Sequence, residues 1–175
     1  VERDRPRAYD VLTVEEAGWR ESLEAPSLDR LRELNDAIHA WPEGFEPNPK
    51  LQRQLERRQA SLDDGIEWAH AEASAFASLV SEGVPVRLSG EDSERGTFSQ
   101  RHLVLHDAND GSTWTPLKHV ADGQGQFQVW NSPLSEAAVL GFEYGYSTTA
   151  LDTLVLWEAQ FGDFAIVAQA IIDQF

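Results

Sequence analysis

Apolar residues recur at helical spacing in the first half of the chain and at strand spacing in much of the second. Leu28, Leu31, Leu34 and Ile38 lie three or four apart behind the pair Pro26-Ser27, which predicts a helix with one apolar face. Asn48 and Pro49 are a second start signal, and a short polar helix is expected to about Ala60. Its Arg53, Arg57 and Arg58 read as a solvated face. Asp64-Gly65 opens the most regular stripe, with Ile66, Ala69, Ala73, Phe76 and Val80, running to about Ser81. The small residues on it predict close packing against a helix or sheet, with His70 and Glu72 at its surface. His39 falls near the end of the first of these helices, where a weak dipole contact is expected. Thr13 and Glu16 have the spacing of a capping box for one more short helix.

Beyond Gly83 the pattern changes. Val84 to Leu88 reads as a short strand, followed by a polar loop to Gly96. Arg101 to Asp107 alternates, which would put His102 and His106 on one strand face. Asn109-Asp110-Gly111 is a hairpin turn signal, with Ser112 to Pro116 as the return arm. Phe127 to Trp130 and Thr153 to Trp157 are two further strands. Between them Ser132 and Pro133 start a helix, Glu136 falls in its first turn, and Ala137 to Phe142 are apolar nearly all round. That pattern predicts a buried helix. The stretch from Phe161 to the end is mostly apolar and reads as a last helix.

The order strand, Glu136, helix, strand places one carboxylate at the carboxyl end of a sheet, where α/β folds bind ligands. It also sits at the positive end of a helix dipole. Read from residues alone, the plainer account of Glu136 is a capping acid. The sharper account is a buried carboxylate that must find a partner.

Composition narrows the chemistry. The 175 residues make one domain, or one with an appendage, and 41% of them are hydrophobic. No cysteine is present, which excludes disulfides, thiolate metal sites and a cysteine nucleophile. The net charge of -16 argues against nucleic acid or an anionic membrane as partner, and no apolar run is long enough to span a bilayer. After His102 the one Lys or Arg is Lys118. With no phosphate-binding loop either, any diphosphate must be gripped by another domain. HExxH and GxSxG are absent, so no metal site and no serine hydrolase is expected. The chain starts at Val1 without methionine and reads as an internal piece of a longer polypeptide.

Three blocks carry a resemblance: LSGEDSERGTFSQRHLVLHD (residues 88–107), WNSPLSEAAVLGFEYGYS (130–147), and TLVLWEAQFGDFA with AQAIIDQF (153–175). Together they resemble the E1 component of the 2-oxoglutarate dehydrogenase complex, a thiamine-diphosphate enzyme. Shorter matches extend this to about Trp41. The resemblance implies an α/β fold, a three-layer transketolase-like pyrimidine-binding domain. Its mainly parallel sheet would be flanked by helices, preceded by a helical segment, and carry a β-hairpin insertion. The chain would then divide into a helical lead-in, 1–62, and the pyrimidine-binding domain, 63–175, truncated at its C-terminal end.

By the same resemblance Glu136 is the catalytic acid that activates the cofactor aminopyrimidine, and His102 faces the substrate. Leu134, Gln160, Phe161 and Phe164 would join Glu136 in binding the cofactor. The resemblance implies decarboxylation of 2-oxoglutarate in the citric acid cycle and transfer of a succinyl group to the lipoyl-bearing E2. It implies a second E1 subunit whose diphosphate-binding domain holds Mg2+, and a bacterial cytoplasmic or a mitochondrial matrix location. The isolated piece is expected to have no turnover. Two departures stand out: Glu91 where the family has Gln, and Ile166-Val167 where it has Asn-Gly. Other thiamine-diphosphate enzymes, including transketolase-like ones, and a non-catalytic α/β interaction domain are the alternative readings.

Overall fold

The computed structural model describes residues 26–175; the capping box expected at residues 13–16 lies outside them. Three helices come first. In α1 (Leu28–Ile38) the Ser27 side chain accepts from the Arg30 amide, and in α2 (Pro49–Ala60) Asn48 accepts from the Lys50 amide, as the start signals predict. The third, α3 (Trp68–Ser81), starts later than Asp64-Gly65 and leaves Ile66 exposed ahead of it. There follow β1 (Val86–Gly90), the short strands β2 (Leu105–His106) and β3 (Thr113–Trp114), and β4 (Phe127–Asn131). Then come α4 (Glu136–Ser147), β5 (Leu154–Glu158) and α5 (Val167–Gln174).

Strands β4, β1 and β5 form one parallel sheet in that order. Val86 stands opposite Phe127 and Leu154, and Gly90 opposite Asn131 and Glu158. The three carboxyl ends are therefore level. Only glycine fits at Gly90, where a Cβ would come 2.7 Å from both the Glu158 carbonyl and Ser93 Oγ.

Alternation along the strands divides the two faces. Val86, Leu88, Phe127 and Val129 point into the apolar core built with Leu34 of α1 and Ala73, Phe76 and Val80 of α3. Leu103 and Leu117, from the long connection between β1 and β4, fill the same side. Arg87 and Ser89 point the other way, towards α4. The connection leaving β1 thus runs on one face and the helix leaving β4 covers the other. Adjacent strands whose connections part in this way make a topological switch point, the place where such sheets bind ligands.

Three expectations need correction. The segment 101–107 is not a strand throughout: Leu105 and His106 pair with Trp114 and Thr113, and Asp107 makes an isolated bridge with Pro47. Ser99 and His102 have positive φ, 53° and 55°, so the chain turns there and His102 and His106 share no strand face. The helix α4 starts at Glu136 rather than at Pro133, because Ser132 is tied back to the sheet by its amide on the Gly90 carbonyl. Nor is α4 buried all round. Val139 and Glu143 are its buried residues and Phe142 is exposed, since a three-stranded sheet covers one stripe only. The hairpin turn is as expected. The Asp107 carboxylate accepts from the amides of Glu46, Asn109 and Asp110, which holds its pKa below the ordinary carboxylate value.

The helical layer hides two histidines, His39 and His70, of which the sequence placed His70 at the surface. His39 Nδ1 meets the Asn35 carbonyl at 2.7 Å, and His70 Nε2 meets Asn35 Oδ1 at 2.8 Å. The rings stand edge to face with centroids 5.4 Å apart. His70 is 0% exposed. Burial, helped by His39 and Arg58, lowers its pKa from 6.5 to about 4. In the unfolded chain this ring takes up its proton near pH 6.5, in the folded chain only near pH 4. Between those values the unfolded state binds more protons, so stability falls as pH falls. The loss approaches roughly 3 kcal/mol by the lower limit. Urea unfolding at pH 7 and pH 4.5 should show it, and His70→Leu should flatten the difference. An unchanged difference in that variant would exclude the ring as its source.

Candidate functional site at the carboxyl edge of the sheet

Helix α4 runs back across the sheet, so its first turn lies at the carboxyl edge. Its position is fixed by one ion pair. Arg87 Nε and Nη2 reach Glu143 Oε2 and Oε1 at 2.7 and 2.9 Å, and Arg87 Nη1 reaches Gln128 Oε1 at 2.7 Å. The guanidinium also lies over the rings of Phe142 and Tyr146, 5.4 and 4.8 Å from their centroids. Glu143 is 3% exposed. The buried carboxylate of this helix is therefore Glu143.

Glu136 is seven residues earlier, on the same helix stripe. Seven residues of helix advance about 10 Å. Three residues of strand, from Arg87 to Gly90, advance about the same distance. Glu136 therefore stands level with the end of β1. It is half-buried, not buried. Among the described residues no group hydrogen-bonds or ion-pairs with its carboxylate. Ser135 occupies the N-cap without a side-chain capping bond.

The other expected residues spread along this edge. Leu134, half-exposed, lines a cleft of about 270 Å3 with Arg87, Ser89, Trp130, Val139 and Phe142. Ser89 Oγ, buried within it, has no hydrogen-bond partner among the described residues. Glu136 and His102 do not line that cleft. Two roomier hollows, about 440 and 500 Å3, lie along the arginines of α2 and hold none of the edge residues.

After β5, Gln160 Oε1 accepts from Thr97 Oγ1 at 3.0 Å, and the Gln160 amide donates to Asp163. Phe161 is 101% exposed, an aromatic ring just past the strand end that none of the described residues covers. Gly162 turns the chain there with φ 94°, a conformation that favours glycine. Phe164 falls in the single 3-10 turn Asp163–Ala165, and its side chain lies outside what is described. Ile166 occupies the N-cap of α5 and offers no side-chain oxygen to the helix amides, where Asn would.

His102 lies on the α3 side of the edge, in a crevice of about 20 Å3 with His39, Arg58, Arg101 and Leu117. Its Nε2 is 2.9 Å from the Ser99 carbonyl. A carbonyl only accepts, so Nε2 carries the hydrogen and Nδ1 keeps a lone pair. Burial first, then nearby Arg58 and Arg95, lowers its pKa below 6.5, against the Ser99 bond and Asp92. The ring is neutral at pH 7.

The sequence reading missed the groups that hold this edge together. Buried Arg101 sends Nε and Nη2 to Glu72 at 2.6 and 3.0 Å and Nη1 to Glu158, the last residue of β5. Burial opposes its charge, but the bonds and charges of the two carboxylates prevail and raise its pKa. Glu72 is thus a structural partner, not a free surface group. The available signal was charge: Arg87 sits in the otherwise apolar stretch from Val84 to Leu88, where a cation needs a carboxylate.

Residues 64–174 match the family described as Transketolase, pyrimidine binding domain. Proteins named 2-oxoglutarate dehydrogenase E1 component from Bacillus cereus (strain AH187) and from Bacillus anthracis are each 53% identical to the chain over 150 residues. Those residues are 85% of this chain and 16% of each relative, so the chain spans a small part of their length.

Proposed function

Because this chain belongs to the transketolase pyrimidine-binding domain family, we propose that it is the part of a 2-oxoglutarate dehydrogenase E1 that holds the aminopyrimidine of thiamine diphosphate. One observation carries the reading. Glu136 is a half-buried carboxylate without a hydrogen-bond or ion-pair partner among the described residues, set at a helix start level with the carboxyl ends of a parallel sheet.

The described residues fit the pyrimidine end of that cofactor and not its diphosphate end. Leu134 and Phe161 offer exposed apolar surface for a flat ring. Among the described residues no group of three His, Asp or Glu side chains is placed to hold a metal ion. Lys118 is the sole Lys or Arg after Arg101. The diphosphate and Mg2+ then belong to the diphosphate-binding domain of a second E1 subunit. The exposed apolar side chains of Phe161, Ile166, Ile172 and Phe175 are surface that such a subunit would cover.

Thiamine diphosphate, with its pyrimidine end held by Leu134, Glu136, Gln160, Phe161 and Phe164, would supply the electron sink that decarboxylation of a 2-oxo acid needs. The protein's share is proton placement. Glu136 holds a proton shared with the ring nitrogen N1′, which favours the imino form of the neighbouring amine. His102, neutral and with Nδ1 free, is a proton acceptor towards the substrate and, once protonated, a donor. Gln160, Phe161 and Phe164 follow β5 and complete the ring's surroundings. The succinyl group then passes to a lipoyl-bearing E2.

The full-length protein tests the substrate. Decarboxylation of 2-oxoglutarate should exceed that of pyruvate by about a hundredfold in kcat/KM. A preference for pyruvate would overturn the substrate and leave the cofactor reading standing.

A further inference from the structure

We propose that Arg58 of α2, with Arg101, is a positioning residue for His102, the two guanidinium groups clamping the loop that carries the imidazole. The inference rests on the reading that His102 faces the substrate.

Arg58 is 6% exposed, although its neighbours Arg53 and Arg57 form the solvated face expected of all three. Its Nη2 donates to the Gln100 carbonyl at 2.6 Å and its Nη1 to the Arg101 carbonyl at 3.2 Å. Nε and Nη2 also reach Glu67 Oε1, at 2.9 and 2.7 Å. Two successive carbonyls on one guanidinium is a shape an extended strand does not offer, because its carbonyls alternate in direction. The next residue is His102 at φ 55°, a left-handed conformation uncommon outside glycine. Such a residue persists where its surroundings over-determine it. Arg101 in turn donates from Nη1 to the Ser93 carbonyl at 3.2 Å and to Glu158, while Nε and Nη2 hold Glu72. The amides of Arg101 and His102 both donate to the Arg95 carbonyl.

The clamp therefore ties α2, α3 and β5 to one histidine. Arg58 lies outside residues 64–174, so the helical segment is a working part of the site and not only a lead-in. Arginine is needed because a lysine cannot fork to two carbonyls and a carboxylate. The charged groups acting on His102 are Arg58 from α2 and Arg95 and Asp92 from the loop after β1. Removing the Arg58 charge should raise the His102 pKa; replacing it by lysine should not.

The experiment uses the full-length protein as Arg58→Lys, Arg58→Met and parent. Without cofactor, the rate of diethyl pyrocarbonate modification of His102, read by peptide mass spectrometry across pH, gives its titration. The methionine variant should titrate higher than the parent, and the lysine variant like it. Loaded with thiamine diphosphate, both should lose about tenfold to a hundredfold in kcat on 2-oxoglutarate, with cofactor affinity unchanged. Parent-like titration in Arg58→Met, or full turnover in Arg58→Lys, overturns the clamp. So does a fall in kcat matched by an equal fall in cofactor affinity. Should Arg58→Met not fold, Glu67→Gln alters a mostly exposed partner and loosens the same guanidinium; unchanged kcat there also overturns it. If His102→Gln keeps full turnover, the role of His102 fails, while its titration still decides the clamp.

Discussion

Glu136→Gln in the full-length protein should slow exchange of the thiamine diphosphate C2 hydrogen by about a hundredfold to ten-thousandfold. Glutamine keeps the size of the side chain and loses its ability to hold and release a proton. The structural share of Glu136 is small by comparison. It has no hydrogen bond or ion pair among the described residues, so its contribution to folding is a first-turn charge near a helix dipole. That is about 0.3–1 kcal/mol, a change of less than tenfold in any equilibrium. A loss of a hundredfold or more therefore reports chemistry, not unfolding. Exchange is the right measurement because it needs no substrate and no E2. Exchange at the parent rate in the glutamine variant would remove Glu136 from the mechanism. Binding of thiamine diphosphate, followed separately, should change little, because the diphosphate end is held elsewhere.

How far this site was legible in the sequence differs from residue to residue. The starts of α1 and α2 were legible because a capping oxygen and an N1 proline act locally. The hairpin was legible because Asn109-Asp110-Gly111 closes on its own Asp107 carboxylate. The position of Glu136 at the sheet edge followed from element order alone. Burial was not legible where charge decides it. Glu143, Arg58, Arg101 and His70 are all polar, and all four are under 9% exposed because each has found a partner far along the chain. Sequence periodicity reports which face is apolar. It does not report a carboxylate and a guanidinium 56 residues apart that neutralise one another inside the fold. The irregular path at His102 was hidden for the same reason. Its alternating neighbours read as strand, and Arg58, which holds the carbonyls before it, comes from another element.

Glu143→Ala should be the most destabilising single change on this face of the sheet, at about 3–5 kcal/mol. The pair is bidentate and its Arg87 is nearly out of water, so truncating one partner strands a buried cation on Gln128 and two aromatic rings. A domain is stable by only about 5–15 kcal/mol in all, so the loss is a large part of the total. The cost belongs to breaking the pair rather than to its net worth. Replacing both partners together, as Arg87→Met with Glu143→Leu, should therefore recover most of the stability. Amide exchange protection in β1 and α4 of the full-length protein measures both variants locally. Near-parent protection in Glu143→Ala would show that water or another acceptor solvates Arg87, and would remove the pair as the anchor. The same pair sets where Glu136 stands, two turns up the stripe. The double variant thus separates two effects. It should restore the fold, and if its methionine and leucine let α4 slide against β1, cofactor hydrogen exchange should stay slow although Glu136 is intact.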